Sequence, residues 1–162
     1  IIIQNFRAKP NTKMAAAAEP DLNELVWTIA AARIIFGAEM NIQAPPNLSP
    51  GVLPKLIDAG INDWGGVSPV SPDHVNPEAP WPHLDALDRE TAKTGKRLTE
   101  RLALYPAYVQ SQDRWVDKNL MPSVLTLSDS EGFARSENWT PGAKTAVPSL
   151  PYLGGKNIAL SS

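Results

Sequence analysis

Three short runs divide the first part of the chain: the apolar run Ile1–Phe6, and then Met40–Ala44 and Ile61–Val67, in which apolar and polar residues mix. Each run has the length of a buried β-strand, and the first is rich in β-branched isoleucine. Proline and polar turn residues follow each run, as is typical where the chain leaves a strand. The sequence therefore predicts three strands.

An amphipathic stretch between the first two runs predicts a helix over Asp21–Gly37. Asp21 is a favourable N-cap residue with Glu24 three positions later, and Gly37 is a natural residue to end the helix. The predicted apolar face consists of Leu22, Leu25, Val26, Ile29, Ala32 and Phe36.

Two further helices are predicted. One ends at Gly60 and begins at Pro50 or Pro54, and the other runs from about His83 to Gly95. Strands that alternate with helices predict a parallel sheet, because each helical crossover is long enough to join parallel strands. This order fits a doubly wound sheet or a sector of a (β/α)8 barrel, and local pattern does not choose between them.

Composition excludes several classes of function. The 162 residues suffice for one domain with a hydrophobic core, and the net charge of −2 provides no basic excess for nucleic acid. No apolar stretch approaches the roughly 20 residues that span a bilayer, and no signal peptide is recognised, so we expect a cytoplasmic protein without a membrane partner. The cysteine count of 0 excludes disulfides and thiolate metal sites within this chain.

Candidate chemistry lies where the predicted strands end, because sites in parallel α/β folds form at the carboxyl ends of strands. Three consecutive loops are expected to meet on one rim. The candidates in the first two loops are Asn5, Arg7, Lys9, Gln43 and Asn47. Each also has a purely structural interpretation. Arg7 and Lys9 can be solvated loop charges or partners of a carboxylate, and the side-chain amides can hydrogen-bond to backbone groups of their loops.

The third loop contributes Gly65, Gly66 and Ser68 and continues to Asp73 and His74. The glycine pair can place backbone amides against a ligand or can simply permit close packing or positive φ. His74 is a candidate for proton transfer, although a structural loop histidine is the commoner case. No metal-ligand set is complete.

Several phrases of the chain are distinctive: Asn5–Met14, Trp27–Arg33, Asn41–Pro50 and Gly60–Pro82, and also Arg97–Tyr108. Together they resemble 7,8-didemethyl-8-hydroxy-5-deazariboflavin synthase, or FO synthase, of the radical S-adenosylmethionine superfamily. The resemblance covers residues 1–109, which would form the C-terminal part of the barrel, and residues 110–162 would form an extension with a flexible tail.

The resemblance implies an α/β fold that supplies about the last three β/α units of a TIM-type barrel. It also implies a lyase that cyclises an adduct of tyrosine-derived hydroxybenzyl and ribityl-aminouracil to the deazaflavin FO, with loss of ammonia. Asn5, Arg7, Gln43, Asn47, Gly65, Gly66 and Ser68 are expected to line the pocket, with His74 as the candidate for proton transfer.

The implied cofactors are S-adenosylmethionine and a 4Fe-4S cluster. The family's cluster motif CxxxCxxC is not in this chain, so an N-terminal barrel half is the expected partner, together with the tyrosine-using enzyme, separate or fused. Two alternatives stay open. One is a non-catalytic barrel-half subunit or binding module, and the other is a radical enzyme of the biotin-synthase-like or menaquinone-pathway type.

Overall fold

The computed structural model describes residues 1–68 and 71–135. The chain divides into two compact units, Ile1–Leu98 and a second that begins at Thr99. The predicted division after residue 109 concerns the extent of the barrel and stays a prediction. Of the predicted flexible tail, the part beyond residue 135 lies outside the described residues.

The first helix, α1, spans Leu22–Phe36, as the pattern predicts. The Asp21 carboxylate accepts a hydrogen bond from the Glu24 N–H at 2.9 Å, which satisfies one of the free amides of the first turn. Gly37 follows the helix with φ +79°, and its N–H donates to the Arg33 carbonyl at 3.0 Å. Both ends of α1 are therefore set by local sequence.

Leu25 and Ile29 are the buried residues of α1, and Leu22, Val26 and Ala32 pack at the margin of the same core. The prediction that Phe36 faces inward is wrong, because its side chain is 50% exposed. The α1 residues that belong to the core or pack at its margin end at Ala32, and Phe36 lies beyond them.

The sheet is small and parallel. Strand β1 is Gln43–Ala44 and strand β2 is Asp63–Trp64, with Gln43 paired to Asp63 and Ala44 paired to Trp64. The chain start adds a third parallel segment through a bridge between Ile2 and Gln43. The order of the three segments across the sheet therefore follows their order in sequence, in an α/β arrangement.

The prediction of a fully buried strand over Ile1–Phe6 is wrong in extent and burial. Ile1 and Ile3 exchange backbone hydrogen bonds with Gln43, at 2.8 and 2.9 Å, but Ile1 is 43% exposed and Ile2 is 65% exposed. Among the described residues this segment is paired along one edge, and Ile3 packs against the core while Ile1 and Ile2 stay open to solvent. The other two predicted strands also shorten to two paired residues each.

After β1, a short 3-10 helix over Pro46–Leu48 leads to α2, which spans Leu53–Ala59, and α3 spans Leu84–Ala92. The second predicted helix thus begins near Pro54 rather than Pro50. The core combines helix and strand residues of this unit: Leu25, Ile29, Ile42, Ala44, Leu56 and Ile61.

Arg33 joins the ends of α1 and α2. Its guanidinium donates to the carbonyl oxygens of Gly37, Ala38 and Met40, at 2.7 to 3.0 Å, and to that of Gly60 at 2.8 Å. Gly60 has φ +123°, and a Cβ built on it would lie 2.8 Å from the Arg33 Cβ. The passage from α2 into β2 therefore requires glycine at this position.

Between residues 99 and 135 the second unit contains three short helices, α4 over Pro106–Gln110, α5 over Gln112–Trp115 and α6 over Met121–Leu127. Tyr108 and Trp115 pack edge to face with ring centroids 5.2 Å apart. Among residues 1–68 and 71–135, no helix is long and apolar enough to cross a membrane.

Candidate functional site

The three predicted loops contact one another within the first unit, as expected for consecutive strand ends. From the first loop, Asn5 Nδ2 and Arg7 Nη2 both donate to the Leu48 carbonyl in the second loop, at 3.2 and 2.7 Å. Lys9 Nζ contacts the Val75 carbonyl in the third loop and lies 3.7 Å from Glu78 Oε1. The structure therefore brings the three loops to one rim.

Asn47 links the second loop to the third. Its Nδ2 donates to Asp73 Oδ2 and to the Ala79 carbonyl, both at 2.9 Å. The side chain is buried, and its Oδ1 has no donor among the described residues. A buried acceptor without a donor is uncommon in folded proteins, which keeps Asn47 a candidate pocket residue.

Asp73 accepts hydrogen bonds from several residues around the third loop. Its Oδ1 accepts from the backbone N–H groups of Val75 and Asn76, at 2.9 and 3.0 Å, and its Oδ2 accepts from Asn76 Nδ2 as well as Asn47 Nδ2. The Asn76 side chain is the main reason that the pKa of Asp73 falls from 3.8 to about 2, because donors stabilise the ionised form. Asp73 therefore holds the loop rather than acting as a proton donor.

Arg7 has a partner within its own loop. Its Nη1 lies 2.8 Å from Glu19 Oε2, and the other oxygen of Glu19 accepts from the Ala8 backbone N–H at 2.8 Å. The Arg7 hydrogen bond lowers the pKa of Glu19. Both side chains are exposed, so this pair orders the loop more than it stabilises the fold.

Gln43 and Asp63 form the polar centre of the sheet. They are register partners on β1 and β2, and Gln43 Nε2 donates to Asp63 Oδ2 at 2.5 Å. Gly65 lies beside this amide, since a Cβ at position 65 would be 3.1 Å from Gln43 Oε1. Gly65 therefore permits close packing, one of the two roles that the sequence left open for the glycine pair.

The remaining candidates lie along the proline-rich segment. Ser68 Oγ accepts from the backbone N–H and the hydroxyl of Ser71, at 3.2 and 2.8 Å, and His74 is exposed. Gly66 has φ +73° and approaches the Trp81 ring. A depression of about 330 Å³ opens here, lined by Ser68, Ser71, Pro72, Asp73, Pro77, Pro80 and Trp81. The proposed pocket role of these residues stays a prediction.

The sequence places Asp73 in the third loop without assigning it a role, and it does not identify Glu19 as a partner of Arg7. The spacing Asp73-x-x-Asn76 is a usable signal, because an aspartate often accepts from backbone two and three residues ahead. The contact between Asn47 and Asp73 joins positions 26 residues apart, so no local pattern reveals it. Within the described part of the chain, no group of three His, Cys, Asp or Glu side chains is placed to hold a metal ion.

Comparison with known proteins identifies relatives of this chain. An FO synthase of Streptomyces avermitilis is 48% identical over 154 residues, which is 94% of this chain and 18% of that protein. The FO synthase of Mycobacterium tuberculosis is 47% identical over 85% of the chain and 16% of that protein. The 7,8-didemethyl-8-hydroxy-5-deazariboflavin synthase of Methanopyrus kandleri is 48% identical over 83% of the chain and 40% of that protein.

The chain thus spans between about a sixth and two fifths of the length of these relatives. No family model matches the chain, and no solved structure matches it. The resemblance to FO synthases that the loop phrases indicate is confirmed by these identities.

Proposed function

Since this chain is homologous to a segment of FO synthases, we propose that it works as part of such an enzyme, as the C-terminal part of its barrel. The complete enzyme would be a radical S-adenosylmethionine lyase of deazaflavin coenzyme biosynthesis in the cytoplasm. Its reaction would cyclise the adduct of tyrosine-derived hydroxybenzyl and ribityl-aminouracil to FO, with release of ammonia. The observation that carries this proposal is the identity of 48% across 94% of the chain.

The arrangement of the sheet supports a barrel sector. The three parallel segments lie in sequence order, and α1 and α2 pack on the same face, where Leu25, Ile29 and Leu56 surround Ile42. Successive helices on one face, over strands in sequence order, are what a (β/α)8 barrel requires. A doubly wound sheet reverses its strand order and covers both faces.

The chain offers no thiolate ligand for an iron–sulfur cluster, because it has no cysteine. The cluster that generates the radical would therefore be held by an N-terminal barrel half, in the same polypeptide or in a partner. The role of this chain would be to complete the pocket for substrate and S-adenosylmethionine with the rim of its three loops. The tyrosine-using enzyme that makes the adduct would be a further partner, separate or fused.

The lack of cysteine also favours one alternative, a barrel half that serves as a non-catalytic subunit or binding module. The two hypotheses differ in whether the gene also encodes the cluster-binding cysteines. A CxxxCxxC motif upstream in the same gene supports the enzyme, and its absence there supports the binding module.

Anaerobic reconstitution of the full-length parent with iron and sulfide tests the proposal. We expect S-adenosylmethionine cleavage in the presence of the adduct and a fluorescent deazaflavin product. The matched control is a parent that lacks residues 1–109, which we expect to retain the cluster absorbance and to make no product. A reconstituted parent that gives no deazaflavin contradicts the proposed reaction.

A further inference from the structure

Helix α1 carries a second apolar stripe, which the described residues leave uncovered. Its members, called the outer stripe below, recur at the spacing i, i+4, i+7, i+8 of a helix-packing face: Trp27, Ala31, Ile34 and Ile35. The three large side chains are open to solvent, with Trp27 71% exposed, Ile34 82% and Ile35 73%. Contiguous exposed apolar residues of this kind mark a surface that contacts another polypeptide.

The outer stripe lacks the polar residues that a surface helix normally presents to water. Between Glu24 and Arg33 the helix has no charged residue. Its one hydroxyl, that of Thr28, donates to the Glu24 carbonyl at 2.7 Å within the helix. A helix that is apolar on all sides is typical of a buried position, so we expect α1 to be covered on both faces in the complete protein.

The outer stripe lies on the side of α1 away from α2. Arg33 reaches the Gly60 carbonyl at the end of α2, whereas Ile35 lies about 200° further around the helix. α1 connects the Ile2 segment to β1, α2 connects β1 to β2, and the two helices contact each other. The far side of α1 therefore lies over the edge of the sheet at the Ile2 segment. Among the described residues, no segment pairs with that edge.

We propose that the outer stripe is the docking surface for a helix of the β/α unit that precedes this segment in the barrel of the parent. This inference rests on the proposed function, in which the chain is the C-terminal part of a barrel. The chain covers 40% of the Methanopyrus kandleri relative, and the remaining three fifths of such a parent lie outside it. One further β/α unit at this edge supplies both a strand for the Ile2 segment and a helix for the outer stripe. The docking helix presents an apolar face, and the small Ala31 within the stripe lets it approach closely.

Site-specific photo-crosslinking in the full-length parent tests the proposal without requiring turnover. Trp27→p-benzoylphenylalanine keeps a large aromatic side chain at the stripe, and mass spectrometry identifies the peptide that it links on irradiation. The matched control is the same replacement at Asp58, an exposed residue of α2. Because benzophenone links only to groups in contact with it, we expect a link within one polypeptide, to a peptide upstream of residue 1, in at least about tenfold higher yield than at Asp58.

A link to a second copy, to a separate tyrosine-using enzyme or to residues 99–162 overturns the proposal, as does a yield no higher than at Asp58. If the Trp27 variant fails to fold by circular dichroism, the same replacement at Ile34 decides. An upstream link in a reconstituted parent that forms no deazaflavin refutes the proposed function and leaves the docking surface supported. Deazaflavin formed by a parent whose link lies elsewhere supports the function and refutes the docking surface.

A charge placed on the outer stripe gives a second readout. Ile34→Asp puts a carboxylate against the docked helix and should lower the thermal unfolding midpoint of the parent by about 5 °C or more. Leu84→Asp, at a leucine of α3 that is 47% exposed, should lower it by less than about 1 °C. Equal shifts in the two variants would contradict burial of the stripe.

Discussion

Replacing Asp73 with asparagine should release the proline-rich segment from the rim. The carboxylate gathers four N–H donors, two from backbone and two from the side chains of Asn47 and Asn76. An asparagine with its oxygen toward Val75 and Asn76 keeps the backbone bonds. Its NH₂ group then meets the two side-chain amides, which are also donors, so both of those bonds are lost.

The size of the effect follows from these two bonds. A hydrogen bond to a charged group contributes about 1.5–3 kcal/mol when buried, and about 1 kcal/mol is a suitable value at this partly exposed position. Two lost bonds then lower the free energy of opening the segment by about 2 kcal/mol. Since about 1.4 kcal/mol corresponds to a tenfold change in an equilibrium constant, the open population should rise about 30-fold.

Amide hydrogen exchange followed by mass spectrometry measures this opening directly. Peptides that cover residues 71–82 should exchange about 30-fold faster in Asp73→Asn than in wild type, with Asp58→Asn as the matched control. An exchange rate that changes by less than threefold would show that the Asp73 carboxylate does not hold the segment.

The same experiment has a pH dependence with a defined sign. The folded pKa of Asp73, about 2, lies below its ordinary value of 3.8, so its stabilising contribution is fully present above about pH 4. That contribution is lost as the pH falls through 4 toward 2. Protection in wild type, corrected for intrinsic exchange, should decline over this window, and Asp73→Asn should show no matching decline.

Three further perturbations test the fold. Leu56→Ala removes a side chain that is 0% exposed and should lower the free energy of unfolding, measured in urea, by about 2–5 kcal/mol. The control Leu125→Ala, at 52% exposure, should lower it by less than about 0.5 kcal/mol. Equal effects would contradict the assigned core. Asp21→Ala removes the cap of α1 and should cost about 1 kcal/mol by the same assay, so an unchanged midpoint would show that the cap contributes nothing. The open edge at the chain start should make the isolated chain self-associate in sedimentation velocity, and Ile2→Lys should shift it toward monomer, whereas a cooperatively melting wild-type monomer would count against the barrel sector.

Local signals in the sequence were sufficient for α1, α2 and α3, but not for α4, α5 and α6, which were not predicted. The ends of α1 lie within one residue of Asp21 and Gly37, because a cap at one end and a glycine at the other act over a single turn. Strand length was overestimated, since a run such as Met40–Ala44 contains the residues of a strand but pairing depends on neighbours. At the start of the chain one neighbour is present, and pairing stops after Ile3.

The meeting of the three loops was predictable from the sequence, but the individual contacts between them were only partly predictable. The rule that strand ends meet places Asn5, Arg7 and Asn47 on one rim, and the structure joins their loops there. The rule does not reveal which of these side chains already bind another residue of the chain, as Arg7 binds Glu19. Those contacts arise between loops that are distant in sequence, and they depend on the folded geometry.

The contact between Arg33 and Gly60 constrains how this segment can change during evolution. A side chain at residue 60 would collide with Arg33 and would also be strained at φ +123°, and a short residue at position 33 would leave several carbonyl groups at the helix ends without their donor. A change at either position alone is therefore deleterious, and shortening residue 33 does not make position 60 tolerant. Across divergent homologues we expect arginine and glycine to be inherited together wherever this helix-to-strand junction is kept, so their joint presence would mark sequences that share it.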